Sequence, residues 1–265
     1  MMSQSIHYHL IDQIEDIKEV VRFQKEIWGV DNITPLPHLV AAIHNGGMIY
    51  GAYEKKQLVG FCYGFAGSRD SQKVLVSHMM AILPEFRNRQ IGEKLKFLQK
   101  EWAQQNGYRK IIWTYDPLES RNAYLNLKKL GAYVRTYYSS YYGEMSDELN
   151  KGMPSDRFLV EWDVEGVTQQ KDEKSVDSLS KLVDWKEEQG LLTPVMTDFQ
   201  LAEDAYVIAV PTTIHAIKKS DMTIALEWRL ALRAVFTRAF SAGYVATMIS
   251  KNSDHSAICY YVIEK

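Results

Sequence analysis

Cysteine is scarce in this chain: only Cys62 and Cys259 occur in 265 residues, far apart and each in an apolar, strand-like run. That excludes a disulfide framework or a cysteine-based metal motif, and a reducing cytoplasm fits such a chain best. An excess of charge is missing too. With a formal net charge of −2, the sequence has neither the basic balance nor the long basic stripe of a general nucleic-acid binder, so any recognition of phosphate must be local. His7, His9, His38 and His44 fall at no metal-binding spacing, and no metal is expected. No run approaches the roughly eighteen apolar residues of a membrane span, and the opening MMSQSIHYHLID lacks a long apolar stretch. Neither a membrane partner nor secretion is expected.

What the chain has is the content of a folded globule, 46% hydrophobic, with length for one large domain or two ordinary ones. IHYHLI (6–11) alternates as a strand; Ile14, Ile17, Val20, Val21 and Ile27 make a helical stripe ended by Gly29; and 35–47 reads as a shorter helix. MIYGAYE (48–54) and QLVGFCYGFAGS (57–68) read as a hairpin across Lys55 and Lys56. KVLVSHMMAIL (73–83) and IIWTY (111–115) are buried strands. Asp116 as N-cap, Pro117 at the first helical position, Glu119 at the capping-box position and Gly131 as C-cap predict a helix between them. Residues 133–143 and 157–164 alternate as two further strands. The fold class expected is α/β (α+β), a mixed central sheet flanked by helices.

Between the strand at 73–83 and a helix over Asn88–Gln105, striped by Ile91, Leu95, Leu98 and Trp102, lies a turn rich in basic and small polar residues: Arg87, Asn88, Arg89, Gln90 and Gly92. A helix start leaves N–H groups unpaired and carries the positive end of the helix dipole. Strand, basic turn and helix together make an anion site.

The turn, RNRQIG, and the later SRNAYLNLKKLGA (120–132) resemble, in this order, the two signatures of the Gcn5-related N-acetyltransferase (GNAT) superfamily, over residues 6–164. WTYDPLES (113–120) and PSDRFLVEW (154–162) further resemble a longer subgroup of predicted acetyltransferases. The resemblance implies an N-acyltransferase that moves an acetyl or other short acyl group from acyl-CoA to a small-molecule amine, an amino acid among the candidates, by direct attack. It implies a cofactor-binding set of Ile82, Leu83, Arg87, Asn88, Arg89, Gln90, Ile91, Gly92, Glu93 and Ser120, with His78 as base and Tyr115 and Tyr124 as polar catalytic candidates. Alternation puts His78 on the face of Met80 and Ile82. The chain departs from the pattern at Gln90, where the family has glycine, at Ser120 for the usual Asn, and at Leu127, where many members carry the tyrosine that protonates the thiolate. A non-catalytic acyl-CoA-binding module is the rival reading; the protein would be a monomer or homodimer.

Each candidate also has a plainer reading: surface charge for the arginines, packing for His78, a helix cap for Asp116, and packing for Tyr137, Tyr138, Tyr141 and Tyr142. Residues 1–164 are expected to be the transferase domain and 165–190 a charged linker. Residues 191–265 would form a C-terminal α/β lobe with a strand at 205–211, a helix at 222–244 and two closing strands. The lobe's helix-AGY-strand echoes the helix-NGY-strand at 106–115, as a degenerate half-copy would.

Overall fold

The computed structural model describes residues 5–30, 32–143, 152–166, 176–198, 200–253 and 255–265. The chain forms two compact units, Met1–Trp113 with Trp162–Gly166, and Thr114–Glu161 with Val167–Lys265. Strands expected to close the N-terminal domain thus lie, for the most part, with the C-terminal residues. The α/β class is the one observed.

In the first unit, β1 (Ile6–Leu10), β2 (Met48–Glu54), β3 (Gln57–Arg69) and β4 (Gln72–Ile82) pair antiparallel in that order, and the start of β5 (Lys110–Tyr115) pairs parallel to β4. Helices α1 (Ile14–Trp28) and α2 (Leu36–His44) cover one face and α3 (Ile91–Gln105) the other. Phe61 packs its ring against Phe23 and Trp28 of α1, while its neighbour Cys62 points to the Leu95 carbonyl of α3, as strand alternation requires. Two features shape β4. Its ladder to β5 has three pairs, Val74↔Lys110, Leu75↔Ile111 and Val76↔Ile112, so Ser77–Ile82 run on past that partner. Against β3 the register slips between Tyr63↔Met79 and Gly64↔Ser77, which makes His78 a β-bulge.

The second unit orders its strands β7-β6-β11-β12-β10-β8-β9, with β6 at Tyr133–Tyr138, β7 at Arg157–Asp163, β8 at Lys181–Glu188, β9 at Leu191–Met196, β10 at Ala205–Pro211, β11 at Val245–Lys251 and β12 at Ile258–Glu264. β8 pairs parallel to β10, while β10–β12, β11–β12, β6–β11, β6–β7 and β8–β9 pair antiparallel. Strand β8 lies inside the stretch read as linker. Leu182 and Val183 are buried there, and the strand's own charges Lys186, Glu187 and Glu188 sit at its exposed far end. Residues 167–175 of that stretch lie outside the described residues. α4 (Ser120–Ala123) continues as a π-turn over Tyr124–Lys129; α5 (Ile214–Ser220) precedes α6 (Met222–Ser241), whose N-cap Asp221 accepts from the Thr223 and Ile224 N–H groups. The helix predicted after Asp116 starts only at Ser120: Asp116 Oδ1 takes the Leu118 N–H at 2.8 Å and makes a turn instead of a helix start.

α6 lies on β6, β8 and β9, with Phe236 against Phe158 (ring centroids 4.6 Å apart) and Tyr137. Its buried face also carries a charge. Arg229 is 1% exposed and donates from both terminal nitrogens to Asp116, which Arg157 also approaches at 3.7 Å. Each unit uses the same local device at a helix end: Gly107 and Gly243 take positive φ, and the tyrosine that follows, Tyr108 or Tyr244, is buried with its hydroxyl on a backbone carbonyl, Gly46 or Glu203. That is the physical content of the NGY and AGY echo.

Removing one member of a buried ion pair leaves the other unpaired. Arg229→Met should therefore lower stability by about 3 kcal/mol in urea denaturation, and Asp116→Asn in the same chain should recover part of the loss.

Candidate active site

Helix α3 starts at Ile91, three residues later than periodicity suggested, because Asn88 (φ 63) and Gln90 (φ 60) both take left-handed backbone. Single αL residues without glycine cost on the order of 1 kcal/mol each and turn successive N–H groups toward one side. Gln90 makes no side-chain cap bond, and the first helical bond is Lys94 N–H to the Gln90 carbonyl, so the Ile91, Gly92 and Glu93 N–H groups precede the helical ladder. Gly92 is not required by packing: a Cβ built there would meet Met80 Cε at 3.5 Å, an ordinary contact. Of the two arginines, Arg89 pairs with Glu54 at 3.1 Å and lies over the Phe86 ring, while exposed Arg87 donates from Nε to the Ile82 carbonyl at 3.3 Å. Leu83 donates its N–H to Val59, so that group is committed to β3, and Ile82 with the residues before it carries the open edge of β4.

The bulge changes which way His78 looks. Its exposed ring sits edge-on to Tyr63 and Phe65, with centroids 6.1 and 5.7 Å away, whereas Met80 meets the Gly92 position on the α3 side. His78 therefore does not share a face with Met80; the extra residue of the bulge breaks the alternation. Partial burial by these rings, and secondarily the nearby His38, holds its imidazole below the ordinary range.

α3 presents a different face from the one its apolar stripe suggested. Leu98 and Trp102 are only half-buried, Trp102 stacking on Tyr108, while Lys96 (3% exposed) and Gln99 (0%) point inward. Lys96 Nζ donates to Ser77 Oγ at 3.0 Å and to Gln99 Oε1 at 2.8 Å, and lies 3.7 Å from the Trp113 ring centroid. Among the described residues no carboxylate pairs with it. Burial pulls the amine down to about 7, against a smaller opposing effect of Cys62. Ser77 is the first β4 residue past the last pair with β5, so the amine sits where the two strands part. Sequence reasoning missed this group; its one signal was a lysine five residues after Ile91 on a helix whose inner positions were taken to be apolar.

The remaining candidates belong to the second unit and have structural partners there. Tyr115 is buried with its hydroxyl 3.3 Å from that of Tyr261; burial leaves it well above the usual phenol range, the Tyr261 bond opposing and the Asp116 charge adding to that effect. Ser120 donates to the Thr212 carbonyl at 2.8 Å. Tyr124 is 37% exposed, on the outer side of the π-turn that buries Leu127. Tyr137 donates to Asp156, and Tyr138, Tyr141 and Tyr142 pack ring on ring. A cavity of about 340 Å³ opens in this unit, lined by groups of both signs, among them Asp116, Glu119, Arg157, His215, Lys218 and Arg229. His215 pairs with Glu119 at 2.8 Å, and Arg229 Nε has no hydrogen-bond partner.

Residues 15–131 match the family model described as the acetyltransferase (GNAT) family. Over that segment the chain is similar to GNAT acetyltransferases. Among solved structures, Arabidopsis thaliana NAA60 in complex with acetyl-CoA superposes with a TM-score of 0.50 at 12% identity, covering 61% of this chain and 100% of that one. A GNAT-family acetyltransferase from Streptococcus pneumoniae gives 0.49 at 16% identity, over 59% of this chain and 98% of the other. One from Elizabethkingia anophelis with acetyl-CoA bound gives 0.44 at 16%, over 61% and 99%. At these identities the likeness is one of fold. No curated protein matches the chain. Among the described residues no group of three or more His, Cys, Asp or Glu could hold a metal, and no helix is long and apolar enough to cross a membrane.

Two outcomes test this geometry. Gln90→Gly removes the αL cost and Gly92→Ala adds a good helix former at ordinary contact distance from Met80, so each should raise stability in urea by about 0.5–1 kcal/mol. Lys96 is the second. Between its folded value of about 7 and an unfolded value of about 10.4, the unfolded chain binds more protons, so stability must rise with pH across that window. Lys96→Met should flatten that rise, measured as the difference between wild type and variant from pH 7 to 10.

Proposed function

We propose that this protein is an acyl-CoA-dependent N-acyltransferase that acetylates, or otherwise short-chain acylates, a small amine bearing a carboxylate, with the amine attacking the thioester directly. One observation carries the reading: at the turn 87–92, two non-glycine residues hold left-handed backbone, and a glycine that packing does not need opens the first turn of α3. A strained backbone persists where the surroundings over-determine it, and such positions cluster at ligand sites. The N–H groups of Ile91, Gly92 and Glu93 with the Arg87 side chain suit the pyrophosphate of CoA, and a side chain at Gly92 would occupy the space a phosphate needs.

Unpaired beyond Val76, β4 offers its backbone edge to the amides of an extended cofactor arm, as an added strand would. Two groups are candidates to take the amine's proton: exposed His78, whose imidazole burial holds below its ordinary range, and, on the other face of β4, Ser77 backed by the buried Lys96. The small cavity of the second unit, with groups of both signs in its lining, supports an acceptor with both ammonium and carboxylate.

Calorimetry with acetyl-CoA and succinyl-CoA, followed by turnover with amino acids, polyamines and peptide N-termini, tests the reading. Gly92→Asp places bulk and negative charge at the phosphate position and should weaken acetyl-CoA binding by roughly 2–4 kcal/mol, about 30- to 1,000-fold. Unchanged affinity in a folded variant would sink the assignment of the turn. Tight binding without turnover on any amine would instead favour a non-catalytic acyl-CoA-binding module.

A further inference from the structure

A lysine with no carboxylate partner is an expensive thing to bury, and a methionine would fill the same space without that cost. Lys96 nevertheless lies 3% exposed between Trp113 and Trp162, which its Nζ approaches to 3.7 and 5.8 Å from the ring centroids. It is held by two neutral groups, Ser77 and Gln99. Gln99 is itself fixed, its amide reaching Met48 Sδ at 3.5 Å. Ser77, at 9%, is the outer member of the trio and lies one residue past the last β4–β5 pair and one before the bulge. A hydroxyl donates once and accepts twice, so it can pass a proton between a buried amine and the opening between the strands.

We propose that Ser77 and Lys96 form a proton relay for the acyl transfer, Ser77 Oγ exchanging protons with the reacting groups and Lys96 Nζ holding the proton in between. This rests on the acyltransferase reading. In the step, the acceptor nitrogen forms its bond to the thioester carbonyl and the C–S bond breaks. With Lys96 neutral and the Ser77 hydroxyl turned to donate to its nitrogen, the proton lost by the acceptor moves to Ser77 Oγ as the serine's own proton moves to Lys96 Nζ, and the reverse shift delivers it to the departing thiolate. The products are amide and CoA thiol, and the relay returns to its starting state with no other reactant. The relay supplies what Leu127, a buried side chain with no hydroxyl, does not.

An amine that titrates near 7 can both take and return a proton at neutral pH. Of the ionisable groups around it, Cys62 on β3 is pushed up to about 12 by burial and stays a thiol, and Tyr50 on β2 is also raised, first by burial. Lys100 lies one turn on along α3 over the Trp162 ring, Lys110 pairs with Asp163 at 3.5 Å, and His78 looks to the opposite face of β4. The limb that belongs to Lys96 is the one Lys96→Met removes, while any limb from His78, on the opposite face of β4, stays in that variant.

The test compares wild type, Ser77→Ala, Ser77→Thr and Lys96→Met, reading kcat against pH with the best amine found and acetyl-CoA affinity by calorimetry. Ser77→Ala and Lys96→Met should each lose about 100-fold in kcat at pH 7, with the limb near 7 gone in Lys96→Met. Ser77→Thr should stay within about tenfold, and affinity for acetyl-CoA should hold within about twofold in all. If Lys96→Met does not fold, Ser77→Ala decides, since it removes the link and leaves the amine in place. Variants of an active wild type that keep kcat within threefold, or that lose acetyl-CoA affinity instead of kcat, would overturn the relay and leave the acyltransferase reading standing. A wild type that transfers no acyl group would overturn both.

Discussion

The ladder between β4 and β5 ends after three pairs, and the chemistry of the first unit follows from that ending. Backbone donors and acceptors are rarely left without partners. A strand that runs on for six residues past its neighbour, Ser77–Ile82, therefore presents an edge that something must satisfy. The β-bulge at His78 falls at the same place, so the strand changes its facing just where it loses its partner. Ser77 is turned to α3 and His78 to the side of Tyr63 and Phe65, which gives one short stretch two chemically different faces.

The turn that follows is built at odds with local preference. Two left-handed non-glycine residues precede α3, and within the helix a lysine and a glutamine occupy the positions that face the sheet. Proteins usually break local rules where function requires it. The α3 segment breaks several within the twelve residues from Asn88 to Gln99, which puts N–H groups and an arginine at the helix start and an amine at the point where the strands part.

In the second unit, polar groups serve mostly to hold the fold. Asp116 joins Arg229 and Arg157, and Asp156 joins Tyr137 and Arg233, so charges that look like site residues in sequence are engaged with α6. Burial raises the Asp156 carboxyl, but the Arg233 and Tyr137 bonds and the Ser140 N–H outweigh it and leave the group below the usual carboxylate range. What stays open is the cavity with its mixed lining.

Much of this was legible in the residues. Alternation located β2, β3, β4, β10, β11 and β12 within a few positions, and the start of a helix after the basic turn was legible too, because strand period and helix-start chemistry are local properties. The face of α3 was not legible: Leu98 and Trp102 are as apolar as a buried stripe demands, and only packing against β2, β3 and β4 decided that Lys96 and Gln99 point in. The bulge at His78 depends on register with β3, and the start of α4 on a carboxylate that turns to Leu118 and Arg229 instead of capping a helix. Sequence by itself determined most of the strands of the first unit and the polar turn before α3. Which side chains face inward, and which charges are free for chemistry, were decided by contacts between residues far apart in the chain, and a local pattern carries no record of those.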